Sequence, residues 1–146
     1  MLIEREELCS LIPHAGAMCL LDGVEQWDST HILGVSNSHR DVTNPLRSGG
    51  RLASLHGVEY AAQAMAVHGG LLARERGEMN PPGFLAALRD VQIHCGRLDD
   101  IEASLRIEAE ELMRSGGSFM YGFTLSAAGV LLLEGRITVF TQPEAK

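Results

Sequence analysis

Aromatic side chains are scarce in this 146-residue chain, at 5% of its residues. A core so short of rings is packed by Ala, Gly, Leu and Val with backbones close together, and the 16 glycines fit that expectation. The same scarcity excludes an aromatic platform on which bases could stack. Positive charge is also short: 12 Lys and Arg stand against 19 Asp and Glu, for a net charge of −7, and the one lysine is the terminal Lys146. Its arginines are scattered, so the chain offers no footprint for a polyanionic backbone, and no nucleic-acid partner is expected. No apolar run reaches the roughly 18 residues of a membrane span. The opening Met1-Leu2-Ile3-Glu4-Arg5-Glu6-Glu7 lacks the basic start and apolar stretch of a secretory signal, so the expectation is a cytoplasmic protein with no membrane partner. The three cysteines, Cys9, Cys19 and Cys95, are odd in number, widely separated and set in apolar contexts, which predicts reduced thiols and no disulfide framework.

What is present is an ordinary globular balance, 45% hydrophobic and 21% charged, over a length that supports one good core; one domain spanning 1–146 is expected. Residues 4–11 predict a short helix stopped by Pro13, and 18–27 and 30–37 predict two strands with Asp28-Ser29 turning between them. Residues 54–77 form the longest helical candidate, with Ser54 as N-cap and Gly77 just past the end. On it Leu55, Val58, Ala62, Met65, Ala66, Gly69 and Leu72 make a broad small-residue face, and the far side carries His56, Glu59, Tyr60 and Gln63 in place of solvated charges. That helix is therefore expected to be buried on most of its circumference. Beyond Pro81-Pro82-Gly83, apolar and polar residues alternate through 90–95, 101–108, 118–126 and 131–140, with Gly116-Gly117 and Gly129 marking turns. The expected class is α+β: an antiparallel sheet of about six strands wrapped around one long central helix, a pattern that fits the hot-dog arrangement but is shared with other α+β layouts, so the motifs must decide.

Glu59 is the most informative residue. A carboxylate in the first turns of a helix read as buried is costly unless paired, protonated or used, and the helix N-terminus favours its anion. Gln63, four residues on, could hydrogen-bond it. Capping or pairing with Arg51 is the structural alternative, and both stay open at this point.

Two stretches carry a family resemblance. Ile12-Pro13-His14-Ala15-Gly16-Ala17-Met18-Cys19-Leu20-Leu21-Asp22 resembles the Leu-Pro-His-Arg-Tyr-Pro-Phe-Leu-Leu-Val-Asp opening of the 3-hydroxyacyl-acyl-carrier-protein dehydratases of fatty acid synthesis. Glu59-Tyr60-Ala61-Ala62-Gln63-Ala64 is similar to their helix motif Glu-Ala-Met-Ala-Gln-Ala, with a similar gap between the two motifs. The resemblance covers roughly residues 10 to 140 and implies the hot-dog fold, assembly at least as a dimer, and elimination of water from a 3-hydroxyacyl thioester. It implies no cofactor of the protein's own, since the substrate rides on the phosphopantetheine of an acyl carrier protein. In that family a His takes the α proton and a helix carboxylic acid assists departure of the 3-hydroxyl. Glu59 matches the acid, Gln63 its helical neighbour and His14 the opening-motif His, whose role is structural.

This chain departs from the family where the catalytic His should stand. The family's Gly-His-Phe-Pro-Gly loop is replaced by Asn44-Pro45-Leu46-Arg47-Ser48-Gly49-Gly50. His56, three residues before Glu59, is the candidate substitute base, with Gly57, Tyr60 and Gln63 as substrate-positioning residues and leading helix amides as an oxyanion site. Two rivals stand beside this expectation. One is a degenerate subunit that binds acyl chains or completes a heterodimer with an active dehydratase, as divergent members resemble those of aryl polyene pathways. The other is a thioesterase, since His56-Gly57 also resembles the His-Gly pair of some hot-dog thioesterases. Arg40, Arg47 and Arg51 are the expected contact for an acidic carrier or its phosphopantetheine. His68 is expected to be a satisfied core or interface residue, and no metal is implied, since His31, His39 and His94 have no partner at metal spacing.

Overall fold

The structure is a computed structural model that describes residues 2–12, 18–78 and 83–141, without the side chains of 83–86 and 141. Its elements run β1 (Ile3–Glu4), α1 (Arg5–Ser10), β2 (Gly23–Trp27), β3 (His31–Ser36), α2 (Gly57–Glu75), β4 (Gly83–Ile93), β5 (Leu105–Ser115), β6 (Ser118–Ala127) and β7 (Val130–Thr141). All strand pairings are antiparallel, in one seven-stranded sheet of order β1-β2-β3-β5-β6-β7-β4. The expected count of about six strands is one short, because β1 is a two-residue strand held by Ile3 and Glu4 against Val24 and Gly23, too brief to show an alternation.

Alternation decides which strand faces point inward. Along β5, Leu105, Ile107 and Ala109 are buried while Glu108 and Glu110 are exposed; along β6, Tyr121, Phe123, Leu125 and Ala127 are buried. Register then stacks Gly34, Ile107, Leu125 and Leu133 in a row beneath the helix. The alternation at Ile101 and Ala103 precedes β5 without forming strand. There Arg97 grips Asp99, and an Asp99 carboxylate oxygen accepts from Leu52 N–H at 2.8 Å, tying this stretch to the chain that leads into α2.

Helix α2 is favoured by Ala, the strongest helix former and its commonest residue, and it ends where Gly77 takes φ +68°, a left-handed conformation that glycine adopts freely. Glu78 N–H then reaches Ala73 O and Gly77 N–H reaches Arg74 O, a Schellman closure. At the other end Ser54 opens a 3-10 turn, Ser54–His56, and does not cap the helix; its hydroxyl is spent on Cys95 O. The helix packs over β3, β5 and β6. A strip of Glu59, Ala62, Ala66 and Gly69 is the part of its first four turns that stays partly or fully open. No helix among the described residues is long and apolar enough to cross a membrane.

Candidate active site

The start of α2 is built by close packing. A side chain at Gly57 would bring its first carbon to 2.7 Å from Leu133 Cδ2 and 2.8 Å from Leu125 Cδ2, so a residue without one lets the helix settle onto β6 and β7. The Gly57 N–H turns back to the carbonyls of Ser54 and Leu55, and His56 N–H to Ala53 O at 3.0 Å. These two amides are therefore committed within the turn. His56 is half-buried and one turn ahead of Glu59, and the helical backbone at His56 keeps the two on neighbouring positions.

Glu59 departs from expectation in its surroundings. It is exposed, on the open strip of α2, and has no hydrogen-bond or ion-pair partner among the described residues. The physical reason is rotation around the helix: the positions offset from it face the sheet or α1, and Glu59 faces neither. Gln63 does not hold it. Instead the buried Gln63 amide accepts from Leu20 N–H at 2.8 Å and donates to Met18 O at 2.6 Å, fastening the segment before β2 onto α2.

Tyr60 is fully buried, with its hydroxyl 2.9 Å from Ser38 Oγ and accepting from Asn44 Nδ2 at 3.0 Å. Burial raises its pKa, against the pull of those two partners, so it stays a neutral phenol. Ser36 and Ser38 both donate to Leu20 O, at 2.6 and 2.7 Å. Tyr60 thus locks the loop over 37–47 to the helix, one residue from Glu59. Of the three arginines, Arg40 and Arg51 are exposed, with Arg40 Nη1 on Glu102 O at 3.2 Å. Arg47 is half-buried and donates to Gly50 O and His39 O, both at 3.1 Å, so much of its guanidinium organises its own loop. His14 lies outside the described residues.

Sequence reasoning missed three features. Ser38 and Asn44 close the Tyr60 network, and no local pattern marks them. Cys9 and Cys19 form a disulfide, contrary to the expected reduced thiols; the fold brings their Cα atoms to 6.0 Å, which ten residues of separation alone could not reveal. Cys95 is free, as expected. A cavity of about 730 Å³ opens between α1 and the 37–45 loop, lined by both cystine residues with Arg5, Asp22, Ser38 and Asn44, and does not include His56 or Glu59. His68 is the satisfied core histidine that was expected: Nε2–H donates to Asp28 O at 2.8 Å and Nδ1 accepts from Tyr121 O–H at 2.7 Å. Among the described residues no group of His, Cys, Asp and Glu is placed to hold a metal.

Residues 6–146 match the profile of the ApeP dehydratases. The chain belongs to the ApeP-like dehydratase family. Among solved structures, the dehydratase heterocomplex ApeI:P of Xenorhabdus doucetiae aligns at a TM-score of 0.84 with 24% identity, covering 94% of this chain and 91% of that one. A hypothetical thioesterase with coenzyme A from Streptococcus pneumoniae aligns at 0.59 with 14% identity, over 84% and 87%. A putative thioesterase from Shewanella oneidensis aligns at 0.64 with 9% identity, over 95% and 94%. These likenesses establish the hot-dog fold. No curated protein matches the sequence.

Proposed function

We propose that this family member is a dehydratase subunit acting on 3-hydroxyacyl thioesters carried on an acyl carrier protein, in fatty acid or polyketide-like synthesis such as that of aryl polyenes. The observation that carries this is Glu59: an exposed carboxylate in the first turn of α2, open to an incoming chain and without a partner among the described residues. Through it a proton reaches the departing 3-hydroxyl. His56 takes the α proton, the C–H electron pair becomes the new Cα=Cβ bond, and the C–O bond breaks to release water. The exposure of Arg40 and Arg51, beside the loop that Arg47 braces, supports a contact with an acidic carrier.

A second reading is favoured by the loop over 44–50, which has no histidine, and by β4, which pairs with β7 on one side and has no strand on its other edge among the described residues. An open strand edge invites another chain. On this reading the protein completes a heterodimer with a catalytically equipped hot-dog partner, as the ApeI:P heterocomplex suggests. The protein incubated with carrier-bound 3-hydroxyacyl, enoyl and saturated acyl thioesters separates the cases. Enoyl product supports the dehydratase, free carrier thiol supports a thioesterase, and no turnover until a second hot-dog chain is added supports the partner subunit. Unchanged dehydration by a His56→Gln protein sinks the acid/base assignment, and unchanged carrier affinity after Arg47→Ala with Arg51→Ala removes the arginine contact.

A further inference from the structure

We infer that the Cys9–Cys19 disulfide is a redox-modification site, reducible in the folded protein by a neutral dithiol, whose state sets how firmly α1 is held against the segment that registers α2. Both residues line the open cavity of about 730 Å³, so a reductant can reach the bond without unfolding the chain. Their exposures differ: Cys9 is half-buried and Cys19 is 1% exposed. Attack therefore falls on the Cys9 sulfur and Cys19 is the leaving group. Arg5 Nη2 donates to Cys19 O at 2.7 Å, placing positive charge at the residue whose sulfur departs as an anion. Glu6, Asp22 and Asp41 also line the cavity and disfavour a negatively charged thiol such as glutathione, which selects for a neutral reductant.

The chemistry balances without a further reactant. One thiolate of the dithiol bonds to the Cys9 sulfur, the Cys9–Cys19 bond breaks, and Cys19 takes a proton. The second thiol then attacks the reductant's sulfur in the mixed disulfide, freeing Cys9 and closing the reductant to a cyclic disulfide, so the cystine gains two electrons and two protons. A small-molecule disulfide reverses the exchange.

The consequence follows from what flanks Cys19. Met18 O and Leu20 N–H are the two groups gripped by Gln63 of α2, and Leu20 O receives Ser36 and Ser38. The cystine is the covalent cross-link that closes the chain between α1 and that hub. Without it α1 keeps the buried Leu8, the contact of Leu11 with Gly70, the Arg5 hydrogen bond to Cys19 O, and an exposed Glu7–Arg74 ion pair of the kind that contributes little.

The test uses the full chain and intact mass after alkylation under denaturing conditions. One tagged cysteine is expected without reductant and three after native incubation with dithiothreitol, with glutathione markedly slower. Hydrogen exchange on the native reduced protein should quicken in α1 by about tenfold or more, leaving β5 and β6 unchanged. A protein with Cys9→Ser and Cys19→Ser should show the fast exchange with or without reductant. If that variant does not fold, the wild-type titration still decides. Three tags before reduction, one tag after dithiothreitol, or unchanged α1 exchange would each overturn the inference.

Discussion

Gln63 spends its amide on the backbone of residues 18–20, and this fixes what its loss would do. Gln63→Leu leaves the buried Leu20 N–H without a partner, at about 1–3 kcal/mol, and frees the more exposed Met18 O to water, so the protein should melt a few degrees lower by calorimetry. Tyr60→Phe removes one neutral hydrogen bond at each of Ser38 and Asn44 and should be milder, near 1 kcal/mol. At Glu59, Glu59→Gln should lower dehydration by about a hundredfold or more, the usual worth of a positioned acid, with the melting temperature held because nothing among the described residues binds that carboxylate. The sequence showed Glu59 and Gln63 four apart and so suggested a pair. It could not show which side of α2 each would face, because that depends on where α1 and the sheet lie.

Two properties of α2 show how an element responds as a unit. Its N-terminus rests on Leu125 and Leu133 through the bare Cα of Gly57, so Gly57→Ala should cost about 1–3 kcal/mol through overpacking, read as a lower urea midpoint at unchanged slope. In its middle, burial depresses the His68 pKa below the ordinary 6.5, against the pull of Asp28 and Glu111; His39 is depressed by burial as well. The unfolded chain therefore binds protons that the folded chain refuses. Stability is full above about pH 6.5 and falls as pH drops through the window below it, so urea midpoints should decline from about pH 7.5 to about pH 5.5. His68→Gln should flatten that decline, and an equal slope in the variant would remove His68 as a cause. The helix itself was legible: residues 54–77 were expected and Gly57–Glu75 formed, with Gly77 ending it. Its start was less so, because the Ser54 hydroxyl found Cys95 O, a partner 41 residues away, and a 3-10 turn resulted.

For the whole molecule, the sheet leaves β4 at an edge, and the apolar side chains Leu88 and Ile93 on it are 40% and 50% exposed. If a second hot-dog chain pairs here, Leu88→Lys with Ile93→Lys should shift the sedimenting species to monomer while barely changing the single chain's own fold, since both sites already face solvent in it. An unaltered assembly would move the interface elsewhere. The amino-acid sequence by itself determined the strands and the long helix, because apolar periods of two and of 3.6 are local properties of the chain. It also placed a chemically able carboxylate and histidine one helical turn apart. Only the tertiary structure decided that β4 crosses to the far edge, that Glu59 stands open while Gln63 and Tyr60 are consumed by packing, and that Cys9 meets Cys19. Each of those outcomes depends on contacts between residues far apart in sequence, whose energies appear only when the sheet and helix are brought together.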